Sequence, residues 1–467
     1  MRKIAILLSF AFVISLWGCS PAERANAQKT KYTQLYQSSI TDLQKQPGLT
    51  MHIKSHKVTT VNDVPIVEDE EQSVSYFGLT SGHPMILRHQ KISMGDYALV
   101  TGETYTNGAS FLSIGTSRFC QELSLQDFLD TCIPANLLDP TLYSSIRAEK
   151  VNGGTRLYFA DGTRAENWII DDISNYQASE GYVHFDQNDT LQESAYTIRY
   201  LHGPYSVLYT VTVTYEVTAK DIITPDPEQY TKIDDVKLPV LLEKASLYLL
   251  SLDNITAKNT QILESDAGAM RWELTSQVDT FGSLDNQMAL VQKSIVTTDL
   301  PSGKEDRFWS KELFLDGVYS LNSQNGEHST STTISPSDIR NSCNTLFLQG
   351  ALTTEDISSI SLSEQNGVYT LFLVPTGAFG DGLCEMACSI LFDTPDLLKQ
   401  LATGESVNCL EAYLSIDKYT GLPVAAGYTY QVTHMVDILS YKLFCSTEQT
   451  FSVPSTTAYD QILDAAK

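Results

Sequence analysis

Alternation is the strongest signal in the chain. Val207, Tyr209, Val211, Val213, Tyr215 and Val217 occupy every second position, with Leu208, Thr210, Thr212, Thr214 and Glu216 between them. A period of two predicts a β-strand whose Val/Tyr face lies on something apolar and whose Thr face meets water. That strand ends a meander over Tyr182–Thr218, and Tyr413–Val453 repeats the plan: Tyr182, Asp186 and Leu191 recur as Tyr413, Asp417 and Leu422 at identical spacing. Further strands are expected at Leu49–Thr60, Gln72–Leu79, Met85–Ile92, Tyr97–Tyr105, Ser110–Ile114 and Arg156–Phe159, with Asn107-Gly108 as a tight hairpin turn. The carboxylate run Glu68-Asp-Glu-Glu71 reads as a solvated loop. Helical spacing places Tyr32, Leu35, Tyr36, Ile40 and Leu43 on one face, and Trp168, Ile169 and Ile173 on one face of Ala165–Tyr176. Ser124 caps a short helix with Asp127 at its third position, and Asp139-Pro140 begins another segment that ends near Arg147.

The repeat extends beyond the meander. Glu312–Gly317 matches Glu103–Gly108, Ser335–Cys343 matches Ser124–Cys132 down to the cysteine, and Asn366-Gly367 matches Asn152-Gly153, all in the same order. Two tandem copies are therefore expected, residues 31–220 and 240–455, in an α+β fold of antiparallel sheet and packed helix. Residues 221–239, rich in proline and charge, read as a linker. Val240–Leu252 opens the second copy as Tyr32–Leu43 opens the first, and 456–467 forms a C-terminal tail. The second copy carries extra residues that include an apolar helical pattern around Cys384 and Cys388.

Charge and leader change the picture from architecture to address. With 31 basic and 56 acidic residues the net charge is −25, and loss of Arg2 and Lys3 with a cleaved leader takes it to −27. Such a surface repels phosphate backbones, so nucleic acid is excluded as a partner. Arg2 and Lys3 precede an apolar run, Ile4–Leu16, of signal-peptide length. The run ends in Leu16-Trp17-Gly18-Cys19, which resembles the lipobox of bacterial lipoproteins. The resemblance implies cleavage after Gly18, so that 1–18 are a signal peptide. It also implies acyl chains, palmitate among them, on Cys19, which becomes the membrane anchor of an extracytoplasmic protein at the cell surface or periplasmic face. Residues 19–30 read as a polar tether, of which Ser20–Thr30 reaches about 35 Å if extended at ~3.3 Å per residue.

Candidate chemistry is sparse. Seven cysteines remain after Cys19, and no spacing dictates a framework; if a bridge forms, Cys409 with Cys445 is the favoured pair. Asp186-Gln-Asn-Asp-Thr190 faintly resembles a calcium loop but lacks the glycine and glutamate such a loop needs, and reads as a turn. His52 and His56 fall about 13 Å apart on one strand face, too far to share a metal. Ser415 and Lys418 have the serine–lysine spacing of penicillin-binding enzymes, but at the end of a strand instead of a helix N-terminus. No motif calls for a metal, a cofactor or catalysis.

The order of elements behind a lipobox, helix, antiparallel meander, helical insertion and longer terminal meander, resembles the lipoprotein-carrier superfamily that includes LolA, LppX and LprG. The resemblance spans residues 31–453, twice, and implies two curved antiparallel sheets, each a half-open barrel with helices on its concave face and a cavity for acyl chains. Tyr209, Val211, Val213 and Tyr215 are the candidate cavity wall. Two functions follow: a tethered binder of a lipid or other apolar ligand, or a non-enzymatic interaction or envelope-sensing module, with a protein partner, whose cores are filled.

Overall fold

The computed structural model describes residues 21–78, 83–131, 143–162, 175–218, 224–265, 270–283, 286–315, 318–324, 326–330, 353–376, 406–436, 439–455 and 457–466. Strand predominates. A first helix, α1 (Pro21–Gln44), leads into β1 (Gly48–Val61), β2 (Val64–Phe77), β3 (Met85–Met94), β4 (Tyr97–Thr106), β5 (Ala109–Ile114) and β6 (Ser117–Glu122). After the two-turn α2 (Leu125–Thr131) come β7 (Tyr143–Val151), β8 (Gly154–Gly162), β9 (Asn175–Asp186), β10 (Leu191–His202) and β11 (Tyr205–Val217). A short β12 (Thr231–Lys232) precedes α3 (Lys237–Ser251). Then follow β13 (Ile255–Ser265), β14 (Met270–Ser283), β15 (Asn286–Asp299), β16 (Lys304–Leu315), β17 (Val318–Ser323) and β18 (Gly326–Thr330). The chain ends with β19 (Ile357–Gln365), β20 (Val368–Pro375), β21 (Ser406–Asp417), β22 (Pro423–Val436), β23 (Leu439–Ser452) and α4 (Ala458–Ala466).

Two large sheets result, ordered β12-β6-β5-β4-β3-β2-β1-β11-β10-β9-β8-β7 and β18-β17-β16-β15-β14-β13-β23-β22-β21-β20-β19. With β12 set aside, the second order is the first shifted by twelve strands. In each sheet a six-strand meander runs outward from the centre, the chain crosses to the far edge, and five strands wind back until the last pairs with the first: β11 on β1, β23 on β13. All pairings are antiparallel except β12 on β6. Tight turns set the register. Asn107 and Gly108 (φ 52° and 79°) and Asn366 and Gly367 (φ 53° and 76°) supply the left-handed pairs that a two-residue hairpin needs.

Ser124 Oγ accepts the Asp127 N–H at 3.1 Å, as a helix cap should. On α1, Tyr36 and Leu43 are buried and Tyr32, Leu35 and Ile40 pack against the same core, which includes Met51, Ile53, Val74, Val211 and Val213 of the first sheet.

Several expectations are corrected. The tether is helix from Pro21 onward. Its Ala, Glu, Arg, Gln and Lys content favours helix without any apolar stripe, and at ~1.5 Å per residue that stretch rises less than half as far as an extended chain. Glu68–Glu71 lie inside β2, because Asn62 and Asp63 (φ 50° and 66°) form a hairpin turn and alternation resumes at once. The segment expected from Asp139 to Arg147 is strand from Tyr143 on. The linker is partly structured, with β12 on the edge of the first sheet and α3 beginning at Lys237. The C-terminal tail carries α4, whose Tyr459 ring meets Phe281 edge-on at 5.5 Å. Gly18, Cys19, Cys132, Cys343, Cys384, Cys388 and the Trp168 face lie outside the described residues, although Asn175 and Tyr176 are strand.

Candidate functional site: a charged joint between the two sheets

The inner face of β1 and β2 carries Leu49, Met51 and Ile53, then Ser55, Lys57 and Thr59, opposite Tyr76, Val74, Gln72, Glu70, Glu68 and Ile66 in register. A polar band thus crosses an apolar wall. It continues through Gln90 and Arg88 of β3 into Thr101 and Glu103 of β4. Arg88 pairs with Glu103, which also accepts from Ser110 Oγ, and Gln90 Nε2 donates to Glu70 Oε1 at 2.7 Å.

Glu68 is the centre, with its side chain 6% exposed. Lys244 Nζ donates to it at 2.6 Å and Tyr248 OH at 2.5 Å, both from α3, while Lys57 Nζ lies 3.8 Å away. Burial alone would push the carboxyl up. The Lys244 and Lys57 charges, with the hydrogen bonds from Lys244 and Tyr248, more than offset that and hold it down at about 2. Burial pushes the Glu70 carboxyl up, against the pull of Lys244. Burial and the neighbouring Glu68 charge raise Tyr248 well above the usual phenol range.

Around this network the two halves share an apolar core. Val61, Val64, Ile66, Ile92 and Met94 of the first sheet meet Leu247 and Tyr248 of α3 and Leu422 and Val453 of the second half. Lys57 Nζ donates to Thr420 O at 3.2 Å and Asn62 Nδ2 to Val453 O at 2.8 Å. A cavity of about 150 Å³ lies beside them, walled by Val61, Pro204 and Tyr205 from the first half and Leu252, Leu422 and Phe451 from the second. That is below the ~300 Å³ at which small-ligand pockets begin.

The residues singled out from the sequence lie elsewhere. Val211, Val213 and Tyr215 are buried and Tyr209 half-buried in the first core, and none lines the cavity at the joint. Tyr215 OH bonds Ser194 Oγ at 2.9 Å, and burial pushes its phenol up to about 12. Cys409 and Cys445 both stand opposite Tyr430, from strands on its two sides. Two strand spacings put their Cα atoms about 10 Å apart, beyond the ~7 Å that a disulfide spans, so the expected bridge is excluded by register. Asp186 Oδ1 accepts the N–H groups of Asn188 and Thr190, and Asp417 Oδ1 those of Tyr419 and Thr420, which makes both loops turns. His52 and His56 are exposed on β1 beside Glu216 and Asp69. Ser415 lies on β21, and Lys418 bonds Glu364.

Among the described residues, no group of three or more His, Cys, Asp or Glu is placed to hold a metal, and no helix is long and apolar enough to cross a membrane. Sequence reasoning missed the joint because Glu68 sits in a carboxylate run. The signal that was available is the phase of that run: Val64, Ile66, Glu68, Glu70, Gln72 and Val74 share one face.

No family model matches the chain, and no curated protein matches it. Among solved structures, LprF from Mycobacterium bovis is similar at 12% identity and a TM-score of 0.24, over 42% of this chain and 97% of that one. A DUF1329 family protein from Desulfovibrio piger follows at 13% and 0.16, over 46% and 91%. A putative AttH from Nitrosomonas europaea stands at 9% and 0.15, over 86% and 92%. All three TM-scores lie below 0.5, and the functional reading rests on the chain's own geometry.

Proposed function

We propose that the protein is a non-catalytic lipoprotein, tethered by lipid on Cys19 to an extracytoplasmic membrane face, that holds a lipid or other apolar ligand between a sheet and its helical cover. One observation carries the reading. The inner faces of β2, β1, β11, β10 and β9 form a continuous apolar wall below the polar band, with Met51, Val74, Val183, Ile198 and Val213 among its members. Five strands at ~4.8 Å make a wall about 24 Å wide, and a helix with its side chains covers about 10–12 Å. Among the described residues the helical cover is one face of α1 together with the short α2, through Phe128. A half-open barrel that parts to admit an acyl chain fits that proportion, the wall residues being buried in the closed state.

A second reading, an interaction or sensing module with filled cores, is favoured by the burial of Val211, Val213 and Tyr215 and by the Tyr215–Ser194 hydrogen bond. Native mass spectrometry of the soluble chain from Ser20, purified from its host, separates the two. Extra mass that organic solvent releases as lipid is the expected result; a bare chain that also fails to bind a fluorescent fatty acid favours the second reading. For the anchor, Cys19→Ser is expected to abolish palmitate labelling and move the protein out of the membrane fraction. A variant that stays labelled and membrane-bound would refute the assignment.

A further inference from the structure

The second sheet repeats the polar band in a different chemistry. Gln449, Asn259, Ser276, Lys293 and Ser310 lie in direct register across β23, β13, β14, β15 and β16. One step along the strands, Gln261 of β13 stands opposite Thr447 of β23. Asn259, Gln261, Ser276, Thr447 and Gln449 are all buried, Gln261 and Thr447 at 1% exposure.

Part of this patch is satisfied internally. Gln449 Nε2 donates to Asn259 Oδ1 at 2.7 Å, Asn259 Nδ2 to Ser276 Oγ at 2.9 Å, and Gln261 Nε2 to Tyr430 OH at 3.0 Å. Gln261 Oε1 and Thr447 Oγ1 have no hydrogen-bond partner. Two unpartnered polar atoms on facing residues in a closed core are costly unless something supplies the missing bonds. The charged band of the first sheet differs: Lys57, Glu68, Glu70, Arg88 and Glu103 each meet a partner side chain.

We infer that this patch receives the polar group of an uncharged amphiphile, a long-chain alcohol, monoacylglycerol or fatty amide, so that the second copy holds a ligand of its own. The inference rests on the ligand-binding reading above and deepens it. Facing residues in an antiparallel pair lie about 5 Å apart, so one hydroxyl can donate to Gln261 Oε1 and accept from Thr447 Oγ1. The surroundings are apolar, with Leu263, Leu274, Tyr428 and Cys445 in the same core, which suits a hydrocarbon body. Charge excludes an ionised head. The patch itself is amide and hydroxyl, and Lys293, the nearest cation in its row, is taken by Glu312 at 3.1 Å. A carboxylate would enter without a counter-ion.

The test compares 1-palmitoylglycerol with palmitate, equal in acyl length, in titrations of the soluble chain from Ser20 and of its Thr447→Val, Thr447→Ser and Gln261→Met variants. The glyceride is expected to bind at least ten-fold more tightly than palmitate. Thr447→Val and Gln261→Met should each lose about five-fold for the glyceride and leave palmitate unchanged, while Thr447→Ser, which keeps the hydroxyl, retains affinity. Melting temperatures no lower than that of the parent chain certify the fold of each variant. Equal affinities for both ligands, unmoved by the substitutions, would overturn this inference and leave the ligand-binding reading standing, with ordered water as the partner of the patch. Binding of neither would remove both.

Discussion

Replacing Glu68 with Gln tests the joint at its centre. The substitution keeps the shape and leaves Lys57 and Lys244 facing a neutral amide in a site where the Glu68 side chain is only 6% exposed. Holding its carboxyl at about 2 in place of the ordinary 4.5 is worth about 3 kcal/mol of folding free energy at ~1.36 kcal/mol per factor of ten in acidity. Loss of one partner from a buried pair costs ~3–5 kcal/mol by an independent route. Glu68→Gln is therefore expected to cost about 3 kcal/mol in urea unfolding at pH 7. Lys244→Met should cost a similar amount, and the double variant should recover about 2 kcal/mol of the summed loss. The pH dependence follows from the sign. A depressed carboxyl contributes its stability fully above about 4.5 and loses it as pH falls toward about 2, so the gap between wild type and Glu68→Gln should close across that window. A cost below about 1 kcal/mol, or two single effects that simply add, would refute the reasoning.

Two further outcomes are expected. Burial raises the Glu70 carboxyl, so its charged form works against the fold at neutral pH. Glu70→Gln should raise the unfolding midpoint at pH 7 and remove the stability that wild type gains on acidification toward the ordinary carboxylate range, both read from urea curves at several pH values. Gly154 faces the backbone of β9, where a Cβ would lie 1.9 Å from Phe185 O; Gly154→Ala should cost about 3 kcal/mol by calorimetry, and a neutral effect would show that β8 and β9 separate freely.

The sheets were legible in the sequence because alternation and two-residue turns act locally: the Val207–Val217 strand and the Asn107-Gly108 turn could be placed without knowing what they pack against. The joint was not, for two physical reasons. Glu68 carries the charge of a surface residue in the phase of a core residue, and only its partners on α3 make that position tolerable. α3 itself was legible as a helix opening a second copy, yet its sequence from Leu238 to Leu250 is apolar on nearly every side, the mark of a helix buried all round. The cysteine pair failed for a third reason. β22 lies between Cys409 and Cys445 in the chain as well as in the sheet, so the meander already legible in the sequence keeps the two cysteines on strands that do not touch.

The two copies differ in the outward side of their opening helix, and that difference joins them. Counted back from Leu49 and Ile255, the first core residues of the strands that follow, Tyr36 and Leu43 of α1 stand where Leu242 and Leu249 of α3 stand, all four buried in their own sheet's core. On the other side α1 presents Gln37, Ser38, Thr41 and Asp42, all exposed. At the corresponding side α3 presents Lys244, Leu247 and Tyr248, which meet Glu68, Val64 and Ile92 of the first sheet. Alone, the second copy would expose Leu247 and Tyr248. The first would expose an apolar patch with a carboxylate that has lost two of its three partners. Interfaces between domains of one chain are as a rule polar and permit relative motion; this one joins a closed apolar core to a buried charge whose partners come from both halves. Movement at the joint would have to break both together, and the first copy's charged band is committed to holding the second.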